Sequence, residues 1–383
     1  MTVREAPTAP DIPLRSHSGG PSGRSDRLRL RGSSRADVAE LAGALLGSFA
    51  LIWLVYEELT TLSGGLGFFV CWFFAFLAMY WAMARNRLGA GAAADRLAAA
   101  TVASVGLLLA VGLAAILIYV AEEGYHALRP TFFTKDQYGV LPFAKPTAGG
   151  GLAAIVGTVE QVGLATLMSL PLGVATAVFL TEVRGSIARP VRLLTDAMSG
   201  IPSVLTGLFI FAVLIESHVL AYSGFAVSLA LTISMLPTIT RTSEVVLRVV
   251  PGDLREASYA LGGSEWRTVR RILLPTARTG LITAAILGVA RVVGEAAPAI
   301  IDAGGSAKVN YNPFNGQQEN LPLMIYDGIR TSMAADHVRA WTAALVLVMM
   351  VLVLFVTARA IARQRTGGMR RPLNRFLDRK GTS

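Results

Sequence analysis

An all-α integral membrane protein of about eight transmembrane helices is the fold class this sequence predicts. The first observation behind it is composition: 53% of the 383 residues are apolar and the mean hydropathy is +0.54, too oily for an ordinary soluble domain. The second is length: apolar runs of about 20 residues, enough to cross about 30 Å of hydrocarbon, recur along most of the chain. They lie near 40–57, 66–84, 97–120, 152–181, 192–215, 225–247, 279–302 and 339–363.

The third observation is where the net charge of +10 sits. Arginines cluster at 24–35, at Arg85, Arg87 and Arg96, at Arg184, Arg189 and Arg192, across 248–278 and at 359–375. Traced through the spans, all of these fall on one side. Glu57, Glu58, Glu122, Glu123 and Glu216 fall on the other. This is the positive-inside pattern, so both termini are expected in the cytoplasm, and a nucleic-acid role for the basic charge is not expected.

Taken in order, residues 1–36 are rich in Pro, Ser, Gly and Arg without periodicity, and are expected as a disordered basic cytoplasmic tail. A cleaved leader is not expected, because the next apolar segment is long and shows no small-residue cleavage site. Residues 37–92 form a hairpin of two spans. Its Gly43 and Gly47 have the spacing of a close helix–helix contact, with chance as the plain alternative. A loop of roughly thirty residues comes after the third span, long enough for a docking or capping surface, with aromatics that also suit interfacial anchors. A second long loop, 303–338, is polar to Gln318 and apolar again at Leu321–Tyr326, as for a short helix dipping back to the membrane surface.

The sequence also excludes chemistry. Cys71 is the only cysteine, so no disulfide forms within the chain. His17, His126, His218 and His337 show no ligand spacing, and no G-x-x-x-x-G-K-[ST] loop is present. The chain is therefore expected to hold no ATPase site and no metal.

The most informative stretch lies after the sixth span, where Pro251-Gly252 starts a new element. Asp253 is expected as an N-cap, with Glu256 three residues on completing a capping box. Leu254, Ala257 and Leu261 share a face at helical spacing, and Gly262-Gly263 stops the helix. Ser264 is expected to cap a second helix lined by Trp266, Val269 and Leu273, and Pro275 to bend the chain into the next span. A capped helix with an apolar ridge and flanking Arg255, Arg267, Arg270 and Arg271 suits either a partner's groove or the lipid surface.

The spacing Glu256-Ala257, Gly262, Ile272-x-Leu274-Pro275 resembles the cytoplasmic signature loop of ABC-importer permeases. The resemblance implies that 248–278 is a coupling loop docking on a separate ATP-binding subunit. It places Asp253, Glu256, Ala257, Leu261, Gly262, Trp266, Ile272, Leu274 and Pro275 at that contact. Ser258 stands where the family usually has a second Ala. Five further strings are similar to the PstA-type permease subunit of phosphate importers, in family order across 97–363. They are Gly149–Thr158, Asp196–Leu208, Leu236–Glu244 with Arg248, Ala290–Pro298 and Leu321–Tyr326. The Gly-Glu-x-Ala-Pro and Arg-Thr-x-Glu strings favour phosphate over the related molybdate, sulfate and amino-acid permeases.

This resemblance implies a six-helix permease core over 93–366, the hairpin at 37–92 as an addition, and a basic cytoplasmic tail at 367–383. The implied function is the membrane half of an ATP-driven phosphate importer. Its alternatives are a permease for another oxyanion, or a membrane sensor or scaffold in phosphate signalling. The implied partners are an ATP-binding subunit (a homodimer that binds ATP and Mg), a second permease of similar fold, an extracytoplasmic phosphate-binding protein and the bilayer of the bacterial inner membrane.

Intramembrane charge is costly, so it marks the candidates for the substrate path. Arg241 and Glu244 are spaced i,i+3 and Arg291 and Glu295 i,i+4, each pair on one helix face, and guanidinium forks suit phosphate oxygens. The plain alternative is two neutralising ion pairs that pack helices. Ser199-Gly200-Ile201-Pro202-Ser203 should unwind or kink the fifth span, where Ser199, Ser203 and Thr206 would offer hydroxyls to a cavity or bond back to their own helix. Glu160-Gln161 in the fourth span departs from the apolar family pattern and is expected to make polar contacts within the bundle.

Overall fold

Apolar runs fold as helices because a chain in hydrocarbon must satisfy its backbone donors within one segment. A computed structural model describes residues 35–60, 64–141, 143–183 and 185–364, with side chains to 360. The tails expected at 1–36 and 367–383, but for residues 35 and 36, lie outside the described residues, as does Arg184. No strand occurs among the described residues. Among the described residues, seven helices are long and apolar enough to span a membrane, eight if a bent pair counts as one. The chain divides into two units, 1–112 and 113–383.

In the first unit, α1 (Arg35–Trp53), prolonged by a π-turn at Leu54–Leu59, packs on α2 (Gly65–Leu88). The paired glycines serve this hairpin: a Cβ on Gly47 would stand 3.0 Å from Met79 Sδ, and one on Gly43 3.6 Å from Met83 Cε. Phe49 stacks edge-on against Phe68 and Trp72 at one end. At the other, Arg87 and Arg96, from α2 and the start of α3 (Ala90–Gly124), hold Asp37 and Glu40. The Arg87–Glu40 and Arg96–Asp37 contacts are both 2.7 Å.

The second unit contains the end of α3, α4 (Pro130–Thr134), α5 (Leu152–Glu182), α6 (Ala188–Ser199) and α7 (Ser203–Ile210), the last prolonged by a π-turn to Ile215. Then come α8 (Gly224–Val249), α9 (Gly252–Ala260), α10 (Glu265–Thr268), α11 (Leu274–Val292), α12 (Ala297–Asp302), α13 (Leu321–Arg330) and α14 (Ala334–Gln364). Helix α8 is central: 67% of its apolar window is buried, against 28% for α5 and 22% for α14. Its Val227, Leu231, Met235 and Ile239 form the main core with Ala165 of α5, Val289 and Val292 of α11, and Ala299 of α12. Small residues let these helices close up. Ile239 fits between Gly173 of α5 and Gly288 of α11, where a Cβ on either would come within 2.7 Å of it.

Two expectations about breaks come out differently. The fifth span does break at Ser199–Ser203, with α6 and α7 meeting at 102°. The seventh, expected unbroken over 279–302, ends at Val292 and restarts at Ala297, where Pro298 occupies the first turn of α12. A proline in a first turn loses no helical bond, so it starts the new helix while the turn around Gly294 ends the old one. Pro275, expected to bend the chain, does not. Glu265–Val292 runs on as one span, because the π-turn at Val269–Leu273 absorbs the missing N–H just ahead of it.

The 303–320 loop is tied down by buried amides. Gln161, fully buried in α5, donates to Gln318 Oε1 (3.1 Å) and accepts from Asn320 Nδ2 (2.7 Å). Gln318 Nε2 reaches Glu160 (2.5 Å), and Thr158 Oγ1 accepts from the Leu321 N–H (2.8 Å). Asn320 then caps α13, the short helix expected from Leu321–Tyr326, by accepting from Leu323 N. These are the polar contacts expected of Glu160-Gln161.

Candidate functional site

The segment expected to couple is built from two short helices. Its N-cap is Pro251, in extended conformation, so α9 begins at Gly252 and Asp253 falls inside the first turn. The capping box expected from Asp253 and Glu256 is therefore absent, since a residue already inside the helix cannot cap it. The Asp253 carboxylate, exposed in the first turn, still meets the helix's positive end favourably. At the other end Gly262 has φ +76°, a left-handed turn that favours glycine. Ser264 caps α10 as expected, accepting from Arg267 N.

This hairpin has two faces. Ser258 is buried and its hydroxyl lies 2.7 Å from that of Thr268, while its carbonyl accepts from Gly263 N. The serine at the family's alanine position thus joins α9 to α10. Val269 and Leu273 face inward with Leu247, Val250, Ala177 and Ala277. Trp266, expected on the same side as Val269 and Leu273, points out and is 69% exposed. Leu261 is 90% exposed, and Leu254, Tyr259 and Ala257 are also open. Ile272 and Leu274 are half-buried and Pro275 is exposed. Exposed apolar side chains that include a Trp and a Tyr, beside exposed arginines, have the composition of a protein-docking surface.

The charged candidates behave differently from their expected i,i+3 and i,i+4 pairing. Arg241 binds Asp196 of α6 rather than Glu244, and both members of that pair are about half exposed. Glu244 is instead shared by Arg192 of α6 (2.7 Å) and Arg248 one turn on (2.5 Å), with only 14% of its side chain exposed. Arg241 and Glu244 thus each find a partner on α6, which lies against α8, and Glu244 also takes Arg248 of its own helix. Arg291 and Glu295 form no salt bridge among the described residues, since Glu295 falls in the break after α11.

Around the 102° break the hydroxyls mostly bond locally. Ser199 Oγ donates to the Asp196 carbonyl (2.6 Å), and Thr206, buried, donates to the Ser203 carbonyl (2.7 Å) and stands 3.1 Å from the Ser234 hydroxyl. Sequence reasoning missed Asp196 and Arg192 as partners, Arg255 as a contact to the membrane helices, and Asp302, fully buried with both oxygens unpartnered. Nothing in local spacing marks pairings between residues 45, 52 and 73 positions apart.

A family model described as binding-protein-dependent transport system inner membrane component matches residues 169–366, which include the bent pair, α8 and the α9–α10 hairpin. The chain belongs to this family. It is 39% identical over 257 residues to the phosphate transport system permease protein PstA 1 of Mycobacterium tuberculosis, covering 67% of this chain and 83% of that protein. The PstA protein of Mycobacterium leprae is 39% identical over 269 residues (69% and 88% covered). That of Pasteurella multocida is 32% identical over 253 (66% and 88%). A solved structure of the MetNI methionine ABC transporter aligns at 23% identity and TM-score 0.44, over 54% of this chain and 90% of that one. The chain is thus a multi-pass membrane permease, a transporter subunit by family.

Proposed function

We propose that this chain is the membrane-spanning subunit of an ATP-driven inorganic phosphate importer, forming part of the translocation path and coupling to a separate ATP-binding subunit. The observation that carries it is the exposed apolar hairpin at 252–275, set in a chain whose relatives across most of their length are phosphate permeases. ATP and Mg are bound by the partner, and the chain itself holds no cofactor. A second permease of similar fold completes the path, and an extracytoplasmic phosphate-binding protein delivers the anion. The positive-inside pattern puts the coupling hairpin and both termini on the cytoplasmic side of the bacterial inner membrane.

In this scheme ATP-driven closure of the partner moves the hairpin and rocks the bundle between its two accesses. Arg241 lies on the cytoplasmic half of α8, half open and paired with an exposed Asp196, where it can exchange that carboxylate for a passing oxyanion. Arg291 and Glu295 stand in the outer half beside the α11–α12 break, and Ser199, Ser203 and Thr206 at the inner break complete the proposed path. Competition uptake tests the substrate. Labelled phosphate uptake by the reconstituted complex should be suppressed by unlabelled phosphate and unaffected by equal sulfate or molybdate. Suppression by either of those would move the assignment to another oxyanion.

A further inference from the structure

One side chain of α9 points away from the exposed ridge and into the bundle. Arg255 Nε donates to Glu182 Oε1 (3.2 Å), its Nη1 to the Val250 carbonyl (3.0 Å) and its Nη2 to the Leu247 carbonyl (3.1 Å). Glu182 is the last residue of α5, and Leu247 and Val250 close α8. A single planar guanidinium therefore joins three elements: the helix that meets the partner and the ends of two membrane helices.

The chemistry suits the place. The last carbonyls of a helix have no donor within it, and a cation is favoured at that end. Only 20% of the Arg255 side chain and 17% of Glu182 is exposed, so this pair is better shielded from water than Arg241–Asp196. A lysine ammonium also has three donors, but on a flexible stem and as a compact point charge, whereas the planar guanidinium fork holds all three acceptors in one geometry. Around it, Leu247, Val250, Val269 and Leu273 pack α8 against the α10–α11 run, and the Ser258–Thr268 contact makes α9 and α10 one body.

We infer that Arg255 is a positioning residue that carries displacement of the coupling hairpin into α5 and α8 together, which rests on α9 being the coupling helix. Apolar packing alone resists separation of the hairpin from the bundle but permits it to slide. Three directional bonds to two helix ends convert a push on α9 into a concerted shift of both.

The test uses the full complex in proteoliposomes, with binding protein and ATP, and reads phosphate transported per ATP hydrolysed. Arg255→Ala should lower that ratio at least tenfold, Arg255→Lys and Glu182→Gln by less, while the ATP-binding subunit co-purifies at wild-type stoichiometry. A wild-type ratio in Arg255→Ala overturns the inference. So does loss of the ATP-binding subunit from the variant complex, which would make Arg255 a shaper of the docking surface only. Should Arg255→Ala fail to insert, wild-type ratios in both Arg255→Lys and Glu182→Gln overturn it. A wild-type complex whose phosphate uptake ignores ATP would instead remove the coupling assignment itself.

Discussion

Truncating Trp266 should weaken docking of the ATP-binding subunit without unfolding the permease. The side chain is 69% exposed and Leu261 is 90% exposed, so both have most of their apolar area left to bury in a complex. Burying a Leu fully is worth about 1.5–3 kcal/mol, and truncating an interface Trp anchor costs about 2 kcal/mol or more. At about 2 kcal/mol for either change, Kd should rise about 30-fold. Titrating a fluorescently labelled ATP-binding subunit against detergent-solubilised Trp266→Ala and Leu261→Ala, read by anisotropy, measures this directly. Circular dichroism and melting temperature should stay at wild-type values, since neither side chain supports the core. Leu273→Ala, which removes an inward-facing side chain, should lower the melting temperature instead. Kd values within threefold of wild type for both exposed-site variants would refute the assignment of this patch to docking.

Gly288→Leu should drive a side chain into Ile239 and cost about 1–3 kcal/mol by overpacking, lowering the melting temperature in detergent, with partial recovery when Ile239→Ala is added. No effect of the single change, or no recovery in the double, would contradict the packing. Gln161→Leu leaves Gln318 and Asn320 short of partners and should cost about 1–3 kcal/mol, seen as faster proteolysis of the 303–320 loop. The Glu319 carboxyl is pushed up to about 8, chiefly by burial and further by the nearby Asp327. The folded chain thus keeps a proton the unfolded chain has lost, so stability should fall as pH rises from the ordinary carboxyl range to about 8 and then level off. Glu319→Gln should flatten that slope in thermal melts; an unchanged slope would assign it to another group.

The helices were legible because spans announce themselves by length and apolarity, and the break at Ser199–Ser203 because Gly200 and Pro202 stand together in an apolar run. The break after Val292 was not, because Pro298 opens a helix there as readily as it would end one, and the surrounding residues stay apolar. The segment after α8 was legible as a capped hairpin with a Gly stop. Its start was not, since Pro251 and Asp253 are both credible helix openers and only backbone conformation decides between them. Ion pairs were misassigned for a general reason: spacing shows which partners share a helix face, but Asp196 and Arg192 compete from a neighbouring helix and win. The amide network of Gln161, Gln318 and Asn320 left half a signal, a polar pair in an apolar span without its distant partner.

The most direct test of the central claim is labelled phosphate uptake into proteoliposomes holding this chain with its co-purified permease and ATP-binding partners. Uptake should require both ATP and the binding protein, and should be lost in Gly262→Arg, where a side chain is forced into a left-handed turn at the docking surface. ATP-dependent uptake at the wild-type rate in Gly262→Arg, with the complex intact, would contradict coupling through this hairpin.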